Sequence, residues 1–181
     1  INMLKYYRWS ISKALVVAPK KVAEGTWSKE AAKWDHLKHL RIVTVLGSSS
    51  KRIRALNTPG DVYIINRENI PWLVDYYKQA WPFDMLVLDE RTSFKNSRSK
   101  RFKAIKLVRR FCRKIVLLTG TPSSKGLEDL WAQVYLLDGG QRLGKTLTQY
   151  RQMYFDPDKR NATQIWSYKA KSGAEVAVLK A

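Results

Sequence analysis

The sequence of 181 residues contains one cysteine, two histidines and only 15 acidic residues. A single thiol, Cys112, excludes an internal disulfide framework and fits the reducing cytosol. His36 and His39 have no thiolate cluster near them in the sequence, so a zinc site is not expected. No apolar run approaches the roughly 20 residues that a membrane helix needs, and the first residues show no cleavable signal pattern. We therefore expect a soluble, cytoplasmic protein with no membrane partner.

The shortage of acidic residues contrasts with 34 Lys and Arg residues, which give a formal net charge of +19. A charge of this size attracts polyanions and repels other cationic surfaces, so nucleic acid is the expected partner. A basic composition that serves solubility or assembly is the alternative. The length predicts one domain with a core of its own.

Five short runs rich in β-branched residues predict buried strands, and stretches with helical spacing lie between them. The strands are expected at 14–19, 41–46, 61–66, 84–90 and 114–122, and the helices at 22–34, 49–57 and 99–111. This alternation predicts an α/β fold with a mainly parallel sheet flanked by helices. In such folds the functional groups lie at the carboxyl ends of the strands.

The helix predicted at 99–111 has a mixed character. Phe102, Ile105, Val108 and then Phe111 or Cys112 share one apolar face, while Lys and Arg residues cover the remainder. A solvated charged face is the ordinary interpretation of such a pattern, although the total charge makes its field relevant to nucleic acid.

Aromatic residues offer a second route to nucleic acid. Trp72, Trp81 and Trp166 could stack on bases, but core or interface packing is the favoured interpretation of all three.

Two acidic residues, Asp89 and Glu90, follow the apolar residues 85–88 at the end of a predicted strand. In nucleotide hydrolases the first carboxylate of such a pair holds magnesium, and the second orients or deprotonates the attacking water. A turn-capping Asp beside a solvated Glu is the alternative. The next predicted strand ends in Thr119-Gly120-Thr121, whose hydroxyls would relay the presence of the γ-phosphate into backbone movement. Together the two strand ends favour a nucleotide-hydrolysing motor.

Four segments, in the correct order, resemble the first motor domain of superfamily two helicases and translocases, particularly the Swi/Snf-type DNA translocases and their phage relatives. "LVVAPKKVAEGTWSKEAAKW" resembles motif Ia, and "LRIVTVLGSSSKRIRAL" with "DVYIINRENI" resembles the segment leading to motif Ib. "DMLVLDERTSFKNSRSKRFKAI" resembles motif II, and "VLLTGTPSSKGLEDLWAQVYLL" resembles motif III. The resemblance covers 1–155 and implies a RecA-like domain. Residues 156–181 are expected to be a C-terminal extension or the start of a linker to a second motor domain.

The resemblance also implies roles for individual residues. Asp89 is implied as the magnesium-site carboxylate, Glu90 as the catalytic base, and Thr119, Gly120 and Thr121 as the residues that couple hydrolysis to movement. Contacts with the nucleic-acid backbone are implied for Pro19, Lys20, Lys21, Asn66, Arg67, Lys95 and Asn96. Cations and backbone amides at strand ends contact phosphates without regard to sequence, as a translocating motor requires.

ATP and magnesium are the implied cofactors, and duplex DNA and a second motor domain of the same polypeptide are the implied partners. One position departs from the family pattern, because Arg91-Thr92 stands where Ala-His is commonest. A cation directly after the base could pair with Glu90 and lower its activity as a catalytic base.

The stretch "GGQRLGKT" at Gly139–Thr146 matches the phosphate-loop pattern, with Gly139, Gly144, Lys145 and Thr146 at its fixed positions. A working phosphate loop follows a strand and opens a helix. The residues before this stretch have helical spacing instead, and Gly139 and Gly140 are typical of a helix stop. The expected buried face of that helix comprises Leu127, Leu130, Trp131, Val134 and Leu137. We therefore favour a chance match over a nucleotide site.

The family's phosphate loop is expected upstream of Ile1, because the apolar helical pattern that opens the sequence has no residue to cap it. The predicted function is that of a fragment of an ATP-dependent DNA helicase or translocase, inactive by itself. Two alternatives stay open: a non-catalytic basic nucleic-acid-binding module, and a P-loop NTPase that uses Gly139–Thr146.

Overall fold

A computed structural model describes residues 11–90, 94–118 and 126–180. The chain divides into two compact units. The first comprises residues 1–91 and 98–120, and the second comprises residues 92–97 and 121–181.

The first unit is built on a parallel sheet of five strands in the order β2-β3-β1-β4-β5. The strands are β1 (Ala14–Ala18), β2 (Ile42–Val45), β3 (Val62–Asn66), β4 (Met85–Asp89) and β5 (Lys114–Leu118). β1 and β3 are buried along their whole length, as expected for Val- and Ile-rich strands with neighbours on both sides. The five predicted strands and the parallel arrangement are confirmed, although residues 119–122 lie outside the described residues.

Helices flank this sheet and follow the strands in alternation. They are α1 (Lys20–Ala23), α2 (Thr26–Ala32), α3 (Ser49–Leu56), α4 (Ile70–Tyr77) and α5 (Lys100–Val108). α3 and α5 begin after Ser48 and Ser99, whose hydroxyls accept hydrogen bonds from the backbone amides of Lys51 and Phe102. Short 3-10 turns cover 35–37, 67–69 and 109–111.

The prediction of one helix over 22–34 is wrong, because Gly25 divides the segment into α1 and α2. Gly25 is extended, with a φ of −175°, and it lies at the N-cap of α2. After the break, Trp27 lies in the first turn of α2.

The core lies on both faces of the sheet. Ala14, Val16, Ile64 and Val87 belong to one apolar cluster, against which the half-buried Trp27 packs. An aromatic group that includes Tyr63, Tyr77, Trp81 and Phe83 packs edge-on, with ring centroids 5.2 to 6.3 Å apart. Trp81 is therefore a core residue, as expected.

The other two tryptophans differ from Trp81. Trp72 is half-buried and stacks on Tyr76, with the guanidinium of Arg52 4.1 Å from its ring centroid. Trp166 is 61% exposed, so it is not a core residue, and the alternative of interface packing stays a prediction. It lies in the hairpin between the two antiparallel strands of the second unit.

Residues 102, 105 and 108 form the buried face of α5, as predicted, whereas Phe111 and Cys112 are half-buried. Burial of the Cys112 thiol raises its pKa to about 11.

The second unit contains α6 (Leu130–Asp138), α7 (Leu147–Tyr154), the antiparallel pair β6 (Phe155–Pro157) and β7 (Tyr168–Ala170), and α8 (Ala174–Lys180). The predicted apolar face at 127–137 is only partly right. The buried residues of α6 are Trp131, Ala132, Gln133 and Leu136, whereas Leu127, Leu130, Val134 and Leu137 are half-buried. A helix that is apolar around most of its circumference has no single buried stripe.

In the part of the chain that the structure describes, no helix has both the length and the apolar composition to cross a membrane.

Candidate active site

The carboxyl ends of β1, β3, β4 and β5 meet at one edge of the sheet, which we call the carboxyl edge. In the parallel register Val17 lies opposite Leu88, and Asp89 lies opposite Leu118. Because β4 and β5 are neighbours, the predicted adjacency of the strand ends before Glu90 and Thr119 is confirmed. Thr119, Gly120 and Thr121 themselves, and Arg91, lie outside the described residues.

Asp89 is held at this edge by a tryptophan. The indole Nε1 of Trp27 donates a hydrogen bond of 3.0 Å to Oδ2 of Asp89, and both residues are half-buried. An indole has one donor and no acceptor, so it orients the carboxylate through a single oxygen and leaves the other oxygen to a different ligand. Sequence reasoning placed Trp27 in motif Ia but assigned it no role, because its partner is 62 residues away.

A cavity of about 440 Å³ opens beside this hydrogen bond. Its walls are formed by Thr26, Trp27, Glu30, Trp34, His36, Leu37 and Asp89. Hydrogen bonds from Lys33 and Trp34 hold the pKa of the Glu30 carboxyl below its usual range. The cavity therefore combines indole rings with the carboxylates of Asp89 and Glu30, and it leaves Asp89 accessible from one side.

Glu90 has an unusual backbone conformation, with a φ of +58°. This left-handed region costs a residue with a side chain about 1 to 2 kcal/mol relative to glycine. Strained positions of this kind concentrate at functional sites, where the surrounding structure holds them. The left-handed conformation of Glu90 therefore lowers local stability, as is typical of a functional position.

The acidic residues at the carboxyl edge fit magnesium. Within residues 11–90, 94–118 and 126–180, no three His, Cys, Asp or Glu side chains are grouped to form a metal cage. Magnesium in phosphoryl-transfer sites needs no such cage, since one or two carboxylates, waters and substrate phosphates complete its octahedron. Asp89, with one oxygen engaged by Trp27, is suited to that role.

Two predicted nucleic-acid contacts, Lys20 and Lys21, are exposed beside the end of β1. Pro19 is half-buried and forms the N-cap of α1. The ammonium group of Lys20 lies 3.9 Å from Glu24, an exposed pair that leaves the side chain 74% accessible. These lysines can therefore reach phosphates in solution.

Asn66 and Arg67, at the end of β3, are arranged around Glu68. Asn66 is 8% exposed, and its amide donates to Glu68 while its oxygen accepts a hydrogen bond from Asn69. Arg67 donates to Glu68 over 2.9 Å. Asn66 thus orders the turn after β3, and Arg67 is half-buried in that turn. The nucleic-acid contacts implied for both residues stay predictions.

Lys95 and Asn96 belong to the second unit. The Lys95 side chain is 16% exposed, and its ammonium group lies 3.3 Å from Oδ2 of Asp129. Its charge is therefore directed at a carboxylate of the same unit. The nucleic-acid contact implied for Lys95 stays a prediction. Asn96 is exposed.

The loop Gly139–Thr146 follows a helix. Gly139 ends α6 in the left-handed conformation, with a φ of +75°, so the predicted helix-stop role of this residue is confirmed. Gly140 and Gly144 are also left-handed, with φ values of +89° and +87°. Thr146 caps α7 by accepting a hydrogen bond from the backbone amide of Gln149.

The polar groups of this loop are engaged within the loop and its flanking helices. The Asp138 carboxylate accepts hydrogen bonds from the backbone amides of Gly140 and Arg142 and from the Arg142 guanidinium. The Lys145 amide donates to Gln149, and the Gly144 carbonyl accepts from Trp131. Burial raises the pKa of the Asp138 carboxyl, but these hydrogen bonds outweigh burial and hold its pKa below the usual range. In a phosphate loop the backbone amides donate to the phosphates of the ligand. Here two of these amides donate to the anionic side chain of Asp138 instead.

Comparison with known proteins identifies relatives of this chain. A family model described as "SNF2-related domain" matches residues 1–165. "Putative protein p41" of Acyrthosiphon pisum secondary endosymbiont phage 1 is 42% identical over 147 residues, which cover 78% of this chain and 32% of the relative. "DNA repair and recombination protein RAD54B" of Mus musculus is 33% identical over 147 residues, which cover 81% of this chain and 16% of the relative.

The fold also matches a solved structure, the "Sulfolobus solfataricus SWI2/SNF2 ATPase core in complex with dsDNA". The TM-score is 0.68 at 22% identity, over 84% of this chain and 30% of that one. The likeness confirms the predicted α/β, RecA-like fold. The chain spans about a third or less of the length of each of these three proteins.

Proposed function

Since this chain belongs to the SNF2-related domain family, we propose that it forms part of the first motor domain of an ATP-dependent DNA translocase. The observation that carries the proposal is the pair Asp89-Glu90 at the end of β4, with Asp89 oriented by Trp27 and β5 alongside. A carboxylate that only capped a turn would need neither an indole partner nor a strained residue after it.

Within this proposal Asp89 holds magnesium and Glu90 acts on water. Bound magnesium would neutralise charge that develops on the transferred phosphoryl group. Glu90 orients the attacking water and accepts its proton, and the φ of +58° sets the direction of its side chain. Trp27 engages Oδ2 of Asp89, which leaves Oδ1 to hold magnesium. Thr119, Gly120 and Thr121 are proposed to couple hydrolysis to movement.

DNA is the proposed track. The net charge of +19 favours a polyanion, and Lys20, Lys21 and Arg67 line the carboxyl edge of the sheet. Contacts of Lys and Arg with phosphates are independent of sequence, as movement along DNA requires. The Sulfolobus solfataricus ATPase core was solved in complex with double-stranded DNA, which supports a duplex as the ligand.

We also propose that this chain by itself hydrolyses ATP negligibly. Gly139–Thr146 is the stretch that matches a phosphate loop, and its amides already donate to Asp138 and Gln149. The relatives are several times longer than the matched region, so a second motor domain is expected to contribute to hydrolysis.

A calorimetric titration with magnesium-ATP tests this part of the proposal, with the Lys145→Ala variant run beside the chain. We expect neither protein to bind appreciably. If the chain bound magnesium-ATP and Lys145→Ala abolished that binding, Gly139–Thr146 would be a working phosphate loop, and the proposal that this chain alone is inactive would be rejected.

The catalytic assignment is tested in the full-length protein by DNA-stimulated ATP hydrolysis. Glu90→Gln should lower kcat by about 10² to 10⁴, because it removes the base and keeps the shape of the side chain. Wild-type turnover that Glu90→Gln leaves unchanged would exclude Glu90 as the base. Duplex binding that no nucleotide alters, in a protein that also lacks turnover, would favour the non-catalytic binding module instead.

A further inference from the structure

The positive charge of the chain is concentrated in one segment. Residues 91–126 contain twelve Lys or Arg residues and no Asp or Glu, so this fifth of the sequence contributes +12 of the net +19. In the described part of the segment, much of this charge lies on α5 and on the turn that leads into β5. Such asymmetry exceeds what solubility requires, because an evenly spread charge would serve that purpose equally well.

Six of these cations form one exposed surface, which we call the basic face. It comprises Lys100, Lys103, Lys106, Arg110, Arg113 and Lys114, all of them exposed. The first four follow the helical spacing of three or four residues, opposite the buried Phe102, Ile105 and Val108. They cover about 15 Å along the helix axis.

The basic face carries an internal cost. Like charges three or four residues apart destabilise a helix by about 0.2 to 0.5 kcal/mol per pair. Glu68 lies 3.6 Å from Arg101 in the first turn of α5, and Asp84 interacts with Arg113 at the far end of the row. Asp75, on the neighbouring α4, is exposed. A bound polyanion would relieve this repulsion.

The chemistry of the basic face fits phosphates rather than bases. Leu107, 63% exposed, is the large apolar side chain between the cations, and it cannot stack as a ring does. Phe111 is half-buried, and the guanidinium of Arg110 lies 4.8 Å from its ring centroid. Four cations over about 15 Å give about one charge per 4 Å, which is close to the spacing of about 3.4 Å between phosphates along one strand of duplex DNA.

The basic face does not coincide with the carboxyl edge. α5 starts beyond the carboxyl end of β4, and the row finishes at Arg113 and Lys114, where β5 begins. The Arg113 amide donates to the carbonyl of Asp84, directly before β4. The far end of the row thus lies at the amino edge of the sheet, a strand length of about 16 Å from Lys20 and Arg67.

We propose that the basic face binds a second segment of duplex DNA through its phosphates, in addition to the segment at the carboxyl edge. The inference rests on the proposed function in that it assumes DNA as the ligand. A motor that holds two duplex segments can move one relative to the other, or can follow a bent duplex.

The test is fluorescence anisotropy of the chain with a short labelled duplex across about 50 to 200 mM salt. The basic-face variant is Lys103→Gln, Lys106→Gln, Arg110→Gln. The matched control, Lys159→Gln, Arg160→Gln, Lys169→Gln, removes the same charge from exposed positions of the hairpin. A carboxyl-edge variant, Lys20→Gln, Lys21→Gln, Arg67→Gln, completes the set, and thermal unfolding verifies that each variant folds.

We expect the basic-face variant to bind about tenfold or more weakly and to lower the slope of log K against log salt by about 2 to 3, because each lost phosphate contact contributes about 0.9. The affinity of the hairpin control for the duplex should fall much less. Combining the basic-face and carboxyl-edge substitutions should abolish binding, since two separate segments are then released.

Several outcomes would overturn the proposal. Equal losses in the basic-face variant and the hairpin control would show that only net charge matters. A loss confined to the carboxyl-edge variant would reject the basic face and leave the proposed function standing. If the unaltered chain did not bind duplex at all, both proposals would fail. Competition by polyglutamate as effective as unlabelled duplex would identify an acidic protein as the ligand instead.

Discussion

The turn after β4 and the loop Gly139–Thr146 both match sequence patterns of nucleotide-binding proteins, and the structure treats them in opposite ways. The loop has glycine at each left-handed position, and its amides donate to Asp138 and Gln149. The turn has a glutamate, Glu90, at its left-handed position, beside a carboxylate that a distant indole orients. The loop is a locally stable connection between two helices, whereas the turn accepts strain to present two acids. A motif therefore indicates function only when its polar groups are not already required by the fold.

The largest effect is expected from placing a side chain in the loop. In Gly140→Ala the new Cβ would lie 2.7 Å from the Gly144 carbonyl oxygen, at a φ of +89°. Strain and overpacking together should lower the free energy of unfolding by about 2 to 4 kcal/mol. Chemical denaturation measures this, with Gly173→Ala as the control, because Gly173 is left-handed with no atom within 4 Å of its Cβ position. If Gly140→Ala and Gly173→Ala lowered the free energy of unfolding equally, the loop would not be tightly packed at Gly140.

The next effect concerns the carboxylate at the centre of the loop. Asp138→Asn weakens charge-assisted hydrogen bonds from Gly140 and Arg142, and should destabilise the chain by about 1.5 to 3 kcal/mol at neutral pH. Because the pKa of Asp138 is lowered in the folded state, this stability is present above the unfolded pKa and is lost as the pH falls through the folded pKa.

Denaturation of Asp138→Asn and wild type from neutral to acid pH should therefore show curves that converge below about pH 4. Lys145→Ala, at an exposed position of the same loop, should leave stability unchanged. A difference between Asp138→Asn and wild type that is independent of pH would contradict the ionic role of Asp138.

A smaller effect is expected at the carboxyl edge. Trp27→Phe removes the donor to Asp89 and keeps an aromatic ring in the packing. We therefore expect the free energy of unfolding to fall by about 1 to 2 kcal/mol. Trp34→Phe is the matched control, since its indole approaches Glu30 at 3.4 Å on an exposed surface. A double-mutant cycle with Asp89→Asn measures the interaction energy between Trp27 and Asp89. A coupling energy of zero would remove Trp27 from its positioning role.

The smallest effect probes the strain at Glu90. Glu90→Gly and Glu90→Ala both remove the carboxylate, but only glycine adopts a φ of +58° without cost. The glycine variant should be more stable than the alanine variant by about 1 kcal/mol, measured by denaturation. If alanine were the more stable, the turn would not be strained, and the contrast with the glycine loop would fail.

Much of the first unit could be predicted because local patterns and the sheet agree. Apolar runs such as "ALVVA" suit only a strand with neighbours on both sides, and Asp89-Glu90 at the end of such a run locates the acids at the carboxyl edge. The helix stop at Gly139 was equally visible, because glycine takes the left-handed conformation without a steric penalty. The division of 22–34 at Gly25 was missed, since a glycine inside a helical pattern does not by itself reveal a break.

The sequence by itself determined the positions of the strands, the acidic pair and the excess of cations, since these depend on composition and local spacing. Only the tertiary structure decided which partners those groups meet. Trp27 reaches Asp89 across 62 residues, Asn66 is turned inward to Glu68, Lys95 is turned to Asp129, and the amides of the glycine loop meet Asp138. Hydrogen bonds and ion pairs depend on distances of a few ångströms, and those distances are set when the chain folds, because residues remote in sequence are brought together by the burial of the apolar core.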